Sequence, residues 1–249
     1  MKYYISEIKY VANSALSKLN NEFENVYDQI SEKGYYVLED FISPEVCLSL
    51  RAEFDKYSTL DYVWKDAQDS DQRIYAIERV SSNYKNLFNT PLLSAIYKKH
   101  IDRYNLHQFT MVNRIQYKEN NIGSGGGWHR DTINRRQLKF ILYLSDVNEK
   151  NGYFQYLTGT HKVSEKFKIN RLLGKKLGEY RYSNEDIEKL LALNYQCVDF
   201  KGNMGTLIIV DTSGVHRGNP LKEGVRYAAT QYMSDTNFHE HITKLFASE

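Results

Sequence analysis

At 249 residues, with 33 Lys plus Arg against 31 Asp plus Glu and a formal net charge of +2, the chain has no global charge to steer it toward nucleic acid or an anionic membrane. Its two cysteines supply no disulfide framework and fit a reducing compartment, and the charged N-terminus lacks the unbroken apolar core of a secretion signal, so a soluble, cytoplasmic protein is expected. The apolar runs, such as Phe140 to Leu144 and Leu207 to Val210, are too short to span a bilayer.

In chain order, apolar residues Ile8, Val11, Ala12, Ala15, Leu19, Phe23, Val26 and Ile30 recur at three-and-four spacing, which predicts a helix over 5–31. Glu32-Lys-Gly34 ends it, and Tyr35 to Leu38 reads as a short strand. Ser43-Pro44 gives an N-cap with proline at the first helical position, ahead of an apolar face of Val46, Cys47, Leu50 and Phe54. A strand is expected over 73–80, and Thr90-Pro91 starts a helix reaching about Tyr97. Strands then dominate, at 108–118, 126–131, 138–145, 153–157, 196–200, 206–210, 213–217 and 225–233. Residues 162–194 interrupt them with a basic, partly helical insertion carrying Ser183 to Asp186 as a capping box; such an insertion often lies over a site entrance.

Short strands separated by turn signals suggest two packed sheets, with a metal site at home in the mouth between them. The expected fold class is mainly β with flanking helices around a double-stranded β-helix (jelly-roll, cupin-like) core. The expected organisation is a single domain over 1–249, with a helical addition at 1–31, a helix-rich flank at 32–106 and a jelly-roll core at 107–234.

The chemistry concentrates in Gly125-Gly-Gly-Trp-His-Arg-Asp131. In an extended strand alternate side chains share a face, so His129 and Asp131 project together and Arg130 points away. A His-x-Asp triplet is weak by itself. Downstream, however, Asp211-Thr-Ser-Gly-Val-His216 follows an apolar strand, and ten residues later Arg226 lies on another. A second His converts the pair into a two-His-one-carboxylate facial triad, which suits non-haem Fe(II) with positions left open for a cosubstrate and dioxygen. A buried Arg beside it is a bidentate fork for a carboxylate. The glycine run from Gly123 to Gly127 lacks the Lys-Ser/Thr of a phosphate loop and leads into a strand, so it reads as a turn close to a ligand.

Trp-His129-Arg-Asp131, the segment Asn151-Gly-Tyr-Phe-Gln-Tyr-Leu-Thr-Gly-Thr-His161, His216 and Arg226 together resemble the phytanoyl-CoA dioxygenase-like branch of the Fe(II)/2-oxoglutarate-dependent oxygenases. Thr158 and Thr160 stand where that family usually has Pro and Ser, and Gly205-Thr206 where it has Gly-Asp. The resemblance implies that His129, Asp131 and His216 hold Fe(II), that Arg226 binds the distal carboxylate of 2-oxoglutarate, and that His161 lies near the pocket without being a ligand. It implies consumption of O2 and 2-oxoglutarate, release of succinate and CO2, and hydroxylation of a small-molecule C-H bond. It also puts a polar cosubstrate partner on the preceding strand, for which Gln116 is the first candidate and Arg114, on the same face, the second. Arg130, Arg135, Arg136, Lys162 and Arg217 could form a basic rim for an anionic substrate, with Thr160 beside them. Of the remaining His, those at 100, 107, 239 and 241 read as surface or capping residues. Two rival readings stay open: a cupin-like metal enzyme that does not use 2-oxoglutarate, and a non-catalytic jelly-roll binding module.

Overall fold

A computed structural model describes residues 22–101, 106–120, 125–131 and 137–247. The predicted helix positions Ile8 to Leu19, together with Gly123, Arg135 and Arg136, lie outside the described residues. Helix α1 occupies 22–33, and its Val26 and Ile30 are fully buried. It is followed by α2 (Pro44–Tyr57), α3 (Ser82–Asn86), α4 (Pro91–Ile101), α5 (Val163–Leu172), α6 (Asn184–Ala192) and α7 (Glu240–Thr243).

The strands are β1 (Tyr35–Leu38), β2 (Trp64–Lys65), β3 (Asp71–Tyr75), β4 (His107–Gln116), β5 (Leu138–Tyr143), β6 (Phe154–Leu157), β7 (Cys197–Phe200), β8 (Leu207–Asp211), β9 (His216–Gly218) and β10 (Val225–Ser234). They make two antiparallel sheets, the larger ordered β1-β8-β5-β10-β4-β3-β2 and the smaller β7-β6-β9. This is the expected jelly-roll core with flanking helices. Strands upstream of residue 107 extend the large sheet at both edges, β1 on one side and β3 and β2 on the other.

The pleat divides the large sheet into two chemically different faces. Leu138, Phe140 and Leu142 of β5, Val112 of β4, Ala229 of β10 and Leu207 and Ile209 of β8 point outward, where α1, α2 and α4 cover them with Val26, Ile30, Cys47, Leu50, Phe54, Leu93 and Ile96. The opposite face looks toward the small sheet. There Tyr143, Ile208, Val210 and Ala228 meet Phe154, Tyr156 and Phe200, closing one end of the space between the sheets. Because the side-chain period is two, slipping β5 or β10 by one residue would exchange these faces, so burial of the helix side fixes which residues reach the interior.

Capping follows the sequence in one helix and departs from it in another. Ser183 Oγ accepts from Asp186 N at 3.2 Å while Asp186 Oδ2 accepts from Ser183 N at 2.9 Å, the reciprocal box that typically contributes about 1 kcal/mol. Ser43 takes the N-cap of α2 with Pro44 behind it, yet its side chain makes no bond to the helix amides. Two expected strands are cut short by backbone conformation. Over 126–131 only His129 makes a bridge, since Gly125, Gly126 and Gly127 adopt φ of +83°, +70° and +89°. Over 73–80 the strand ends at Tyr75, where Ala76 turns left-handed (φ 55°) into a short 3-10 turn. Among the described residues, no helix is long and apolar enough to cross a membrane.

Candidate metal centre

Two loops deliver the ligating side chains. The glycine turn at 125–127 leads to His129, and the turn after β8, Asp211 to Gly214, leads to His216. His129 N donates to His216 O and His216 N to His129 O, both at 2.9 Å, so the loops are stitched together at the ligands themselves. The two imidazoles consequently lie side by side, ring centroids 4.4 Å apart. Gly214 permits this geometry, because a Cβ there would fall 2.0 Å from the Tyr156 hydroxyl that bonds the Asp211 carbonyl.

The tautomers follow from the hydrogen bonds. His129 Nδ1 lies 2.8 Å from Gly127 O and His216 Nδ1 2.9 Å from Gly214 O. A carbonyl can only accept, so each Nδ1 carries a proton and Nε2 is the nitrogen of each ring turned toward Asp131. Asp131 Oδ1 sits 3.5 Å from His129 Nε2 and 3.8 Å from His216 Nε2, and one ligand atom from each residue falls within 4.8 Å of the others. Two imidazoles and one carboxylate at these separations are a donor set for a single divalent transition ion.

The electrostatics match. Burial pushes His216 down to about 3, keeping it neutral and available as a ligand. Burial works upward on Asp131, but Lys139 with its Nζ 2.6 Å from Oδ2, and then the two imidazoles, hold the carboxyl well below the usual carboxylate range. The centre opens into a cavity of about 210 Å³ whose walls include Arg73, Asn113, Lys139, Tyr143, Arg226 and Tyr232. Cross-strand register explains this lining: Tyr143 pairs with Ala228, Ile141 with Thr230, Lys139 with Tyr232 and Asn113 with Ala228, all on the interior face.

Arg226 faces the cavity and is buried, 6% exposed. Its Nη1 donates to Gly152 O, while its Nε has no hydrogen-bond partner. Burial lowers its pKa, with Tyr143, Asp71 and Arg73 as the charged or titratable neighbours that act on it. A buried guanidinium that lines a polar cavity and keeps one N–H unbonded is suited to seat an anion.

Several other residues singled out from the sequence lie elsewhere. Gln116 and Arg114 occupy the opposite face of β4: Gln116 Nε2 donates to Asp69 O at 2.9 Å, and Arg114 Nη1 lies 3.7 Å from Asp55 Oδ1. The interior position on that strand belongs to Asn113. Arg130 does point away from His129 and Asp131, but into the protein: it is 1% exposed, donating to Tyr182 Oη at 2.8 Å, Thr160 O at 2.5 Å and Ser213 O at 2.8 Å. Thr160 is fully buried, its Oγ1 donating to Leu157 O and accepting from Val215 N. Arg217 stacks on Trp128, its Cζ 4.5 Å from the ring centroid, and bonds Gln155. Arg130, Thr160 and Arg217 therefore miss the cavity, because each alternates away from a ligand or is spent on internal bonds. His161 bonds Ser31 O at 3.1 Å, outside the cavity wall. His100 is no surface residue; it is 2% exposed with Nε2 3.0 Å from Asp211 Oδ2.

Lys139 and Arg73 were not singled out from the sequence. The signal for Lys139 was present, a lone cation inside the apolar run Leu138 to Leu144. Nothing comparable marked Arg73, whose partner Asp71 lies two residues before it on β3 and whose ring neighbour Trp64 comes across from β2.

Solved structures share the fold. The epimerase SnoN, in complex with Fe3+, alpha-ketoglutarate and nogalamycin RO, superposes with a TM-score of 0.64 at 14% identity, over 87% of this chain and 84% of that one. HygX from Streptomyces hygroscopicus, with nickel, 2-oxoglutarate and hygromycin B bound, gives 0.58 at 17% identity over 88% of each chain. The carbocyclase SnoK from nogalamycin biosynthesis gives 0.63 at 15% identity, over 88% of this chain and 89% of that one. No curated protein sequence matches the chain. The sequence profile of phytanoyl-CoA dioxygenase (PhyH) matches residues 30–222, spanning both ligating loops and the intervening insertion, and the chain belongs to that family.

Proposed function

We propose that the protein is an Fe(II)/2-oxoglutarate-dependent oxygenase that hydroxylates a C-H bond of a small molecule, releasing succinate and CO2. The observation that carries this reading is the pairing of a His129-Asp131-His216 donor set with the buried, incompletely bonded guanidinium of Arg226 in one cavity. A metal enzyme indifferent to 2-oxoacids would need another anion to meet that guanidinium, whose burial otherwise costs several kcal/mol. When bound, iron and 2-oxoglutarate supply the oxidising chemistry, with dioxygen as oxidant and succinate and CO2 as the co-products.

The residues of this chain do the rest. His129, Asp131 and His216 offer three donors on one side, leaving the cavity side for cosubstrate and dioxygen. Arg226 takes the distal carboxylate, and Tyr143, whose hydroxyl burial and packing raise to about 12, stays neutral beside it. Met111, Ile141, Phe154 and Ala228 contribute apolar patches to an otherwise polar wall. SnoN and HygX were crystallised with nogalamycin RO and hygromycin B, which supports a small organic molecule as substrate here. Among the described residues, the cationic groups lining the cavity are Arg73, Lys139 and Arg226, which would attract an anionic group.

The test is succinate formation from 2-oxoglutarate under air by the Fe(II)-loaded protein, with Arg226→Ala and His129→Ala as controls. Turnover by the parent that both substitutions abolish is expected; absence of any turnover, coupled or uncoupled, would remove 2-oxoglutarate from the reading. Mass spectrometry of the product then separates hydroxylation, with its added oxygen, from an epimerisation or ring closure that adds none.

A further inference from the structure

Lys139 sits where a lysine is expensive. Its strand neighbours Leu138 and Phe140 are fully buried, and it is itself only 8% exposed on the cavity face of β5. Its ammonium lies 2.6 Å from Asp131 Oδ2 and 4.4 Å over the Tyr232 ring, the residue directly across the strand pair. Asp131 therefore has two oxygens with different duties: Oδ2 is engaged by Lys139, and Oδ1 faces both imidazole Nε2 atoms.

We propose that Lys139 is a positioning residue that restricts Asp131 to single-oxygen coordination and so preserves the open coordination place that a chelating 2-oxoacid requires; the role in cosubstrate binding rests on the function proposed above. A facial triad leaves one face of an octahedron free. A 2-oxoacid bound there through two oxygens would take up two of those places and leave one for dioxygen. A free aspartate can turn both oxygens to an ion, as carboxylates do at calcium sites, and would occupy one of those places. An ammonium ion-paired with Oδ2 at 2.6 Å would hold that oxygen back by charge attraction. The same positive charge opposes the ion itself, so removing it should leave metal binding intact or tighter. Weak metal binding is thus not the expected signature; loss of the open place is.

The experiment uses the purified full-length protein and the variants Lys139→Met and Lys139→Arg, with thermal unfolding as a control and Lys139→Gln in reserve if the Met variant does not fold. Co(II) is titrated first, its visible absorption reporting both affinity and coordination geometry. 2-Oxoglutarate is then titrated into the anaerobic Fe(II) protein, followed by the charge-transfer absorption of the complex. In the Met variant, Co(II) affinity should be equal or higher with a changed spectrum, and 2-oxoglutarate affinity should fall by about tenfold or more. The Arg variant should keep the parental spectrum. A parental Co(II) spectrum in the Met variant, weakened metal binding, or unchanged 2-oxoglutarate affinity overturns the proposal. If the parent binds Co(II) but no 2-oxoglutarate, the functional reading fails while the Co(II) spectra still decide the role of Lys139. A parent that binds no metal overturns both.

Discussion

His129 and His216 exchange backbone hydrogen bonds in both directions, each 2.9 Å long, so two of the three candidate metal ligands also form the seam between their loops. Ligand geometry is therefore built into the main chain, and distortion of either loop reaches the ion directly. Gly125 is the most exposed point of that design. Its φ is +83°, and a Cβ there would lie 2.5 Å from His129 Cε1. Gly125→Ala should cost only about 1 kcal/mol of backbone strain in stability. The imidazole, however, must move, and metal affinity should drop by about tenfold or more. Calorimetric titration with Ni(II), alongside thermal unfolding of the metal-free protein, checks both halves; equal affinities in parent and variant would refute the link.

Arg226 predicts the opposite division of effects. A guanidinium 6% exposed, with an unsatisfied Nε, is a burden on the fold until an anion arrives. Arg226→Met should leave the melting temperature of the ligand-free protein unchanged or raised, offset only by the Gly152 carbonyl that loses its donor. The same change should raise the KM for 2-oxoglutarate by about a hundredfold, the worth of a charge-assisted bidentate contact. Saturating 2-oxoglutarate protects only the parent against thermal unfolding if this is right. Equal protection of the variant would show that the anion binds elsewhere.

Much of the site was legible because its residues are bound to backbone motifs with fixed sequence offsets. His129 and Asp131 share a side by alternation, and His216 follows an apolar strand by a tight turn. Facing was harder. Whether Asn113 or Gln116 looks inward depends on the register of β4 against β10, where Arg226 stands opposite Ile115, and one chain does not reveal register. Once Arg226 is known to be interior, the odd positions of β4 must be interior too. Arg130 was misjudged for a related reason: alternation correctly turned it from the metal, but only the packing of Thr160, Ser213 and Tyr182 around it shows that the other side is protein and not solvent.

Arg130 is consequently expected to matter for folding before it matters for substrate. It ties together the metal loop, the Thr160 turn, the Ser213 turn and, through Tyr182, the insertion. Arg130→Met would leave those buried acceptors unpaired at roughly 1–3 kcal/mol each, and the total should be several kcal/mol. Denaturant unfolding of the metal-free protein measures it. A substitution that left stability intact and raised only the KM for substrate would restore the substrate role.

Asp211 gives a pH signature independent of the metal ligands. Burial works to raise its carboxyl, but the His100 hydrogen bond, with His161 and Ser213 behind it, brings it down to about 2 from an unfolded value of 3.8. The folded state thus binds the proton less readily than the unfolded one. The associated stability is fully present above about pH 4 and is lost as pH falls through about 2, amounting to about 2 kcal/mol. The contact also ties α4 to the strand end that leads into the His216 loop. Unfolding free energies of parent and Asp211→Asn, measured from pH 6 to pH 2 on metal-free protein, should differ by a constant amount down to about pH 4 and converge below it. A gap that persists unchanged at pH 2 would mean that the carboxylate's charge contributes nothing and that the loop is held by packing and neutral hydrogen bonds alone.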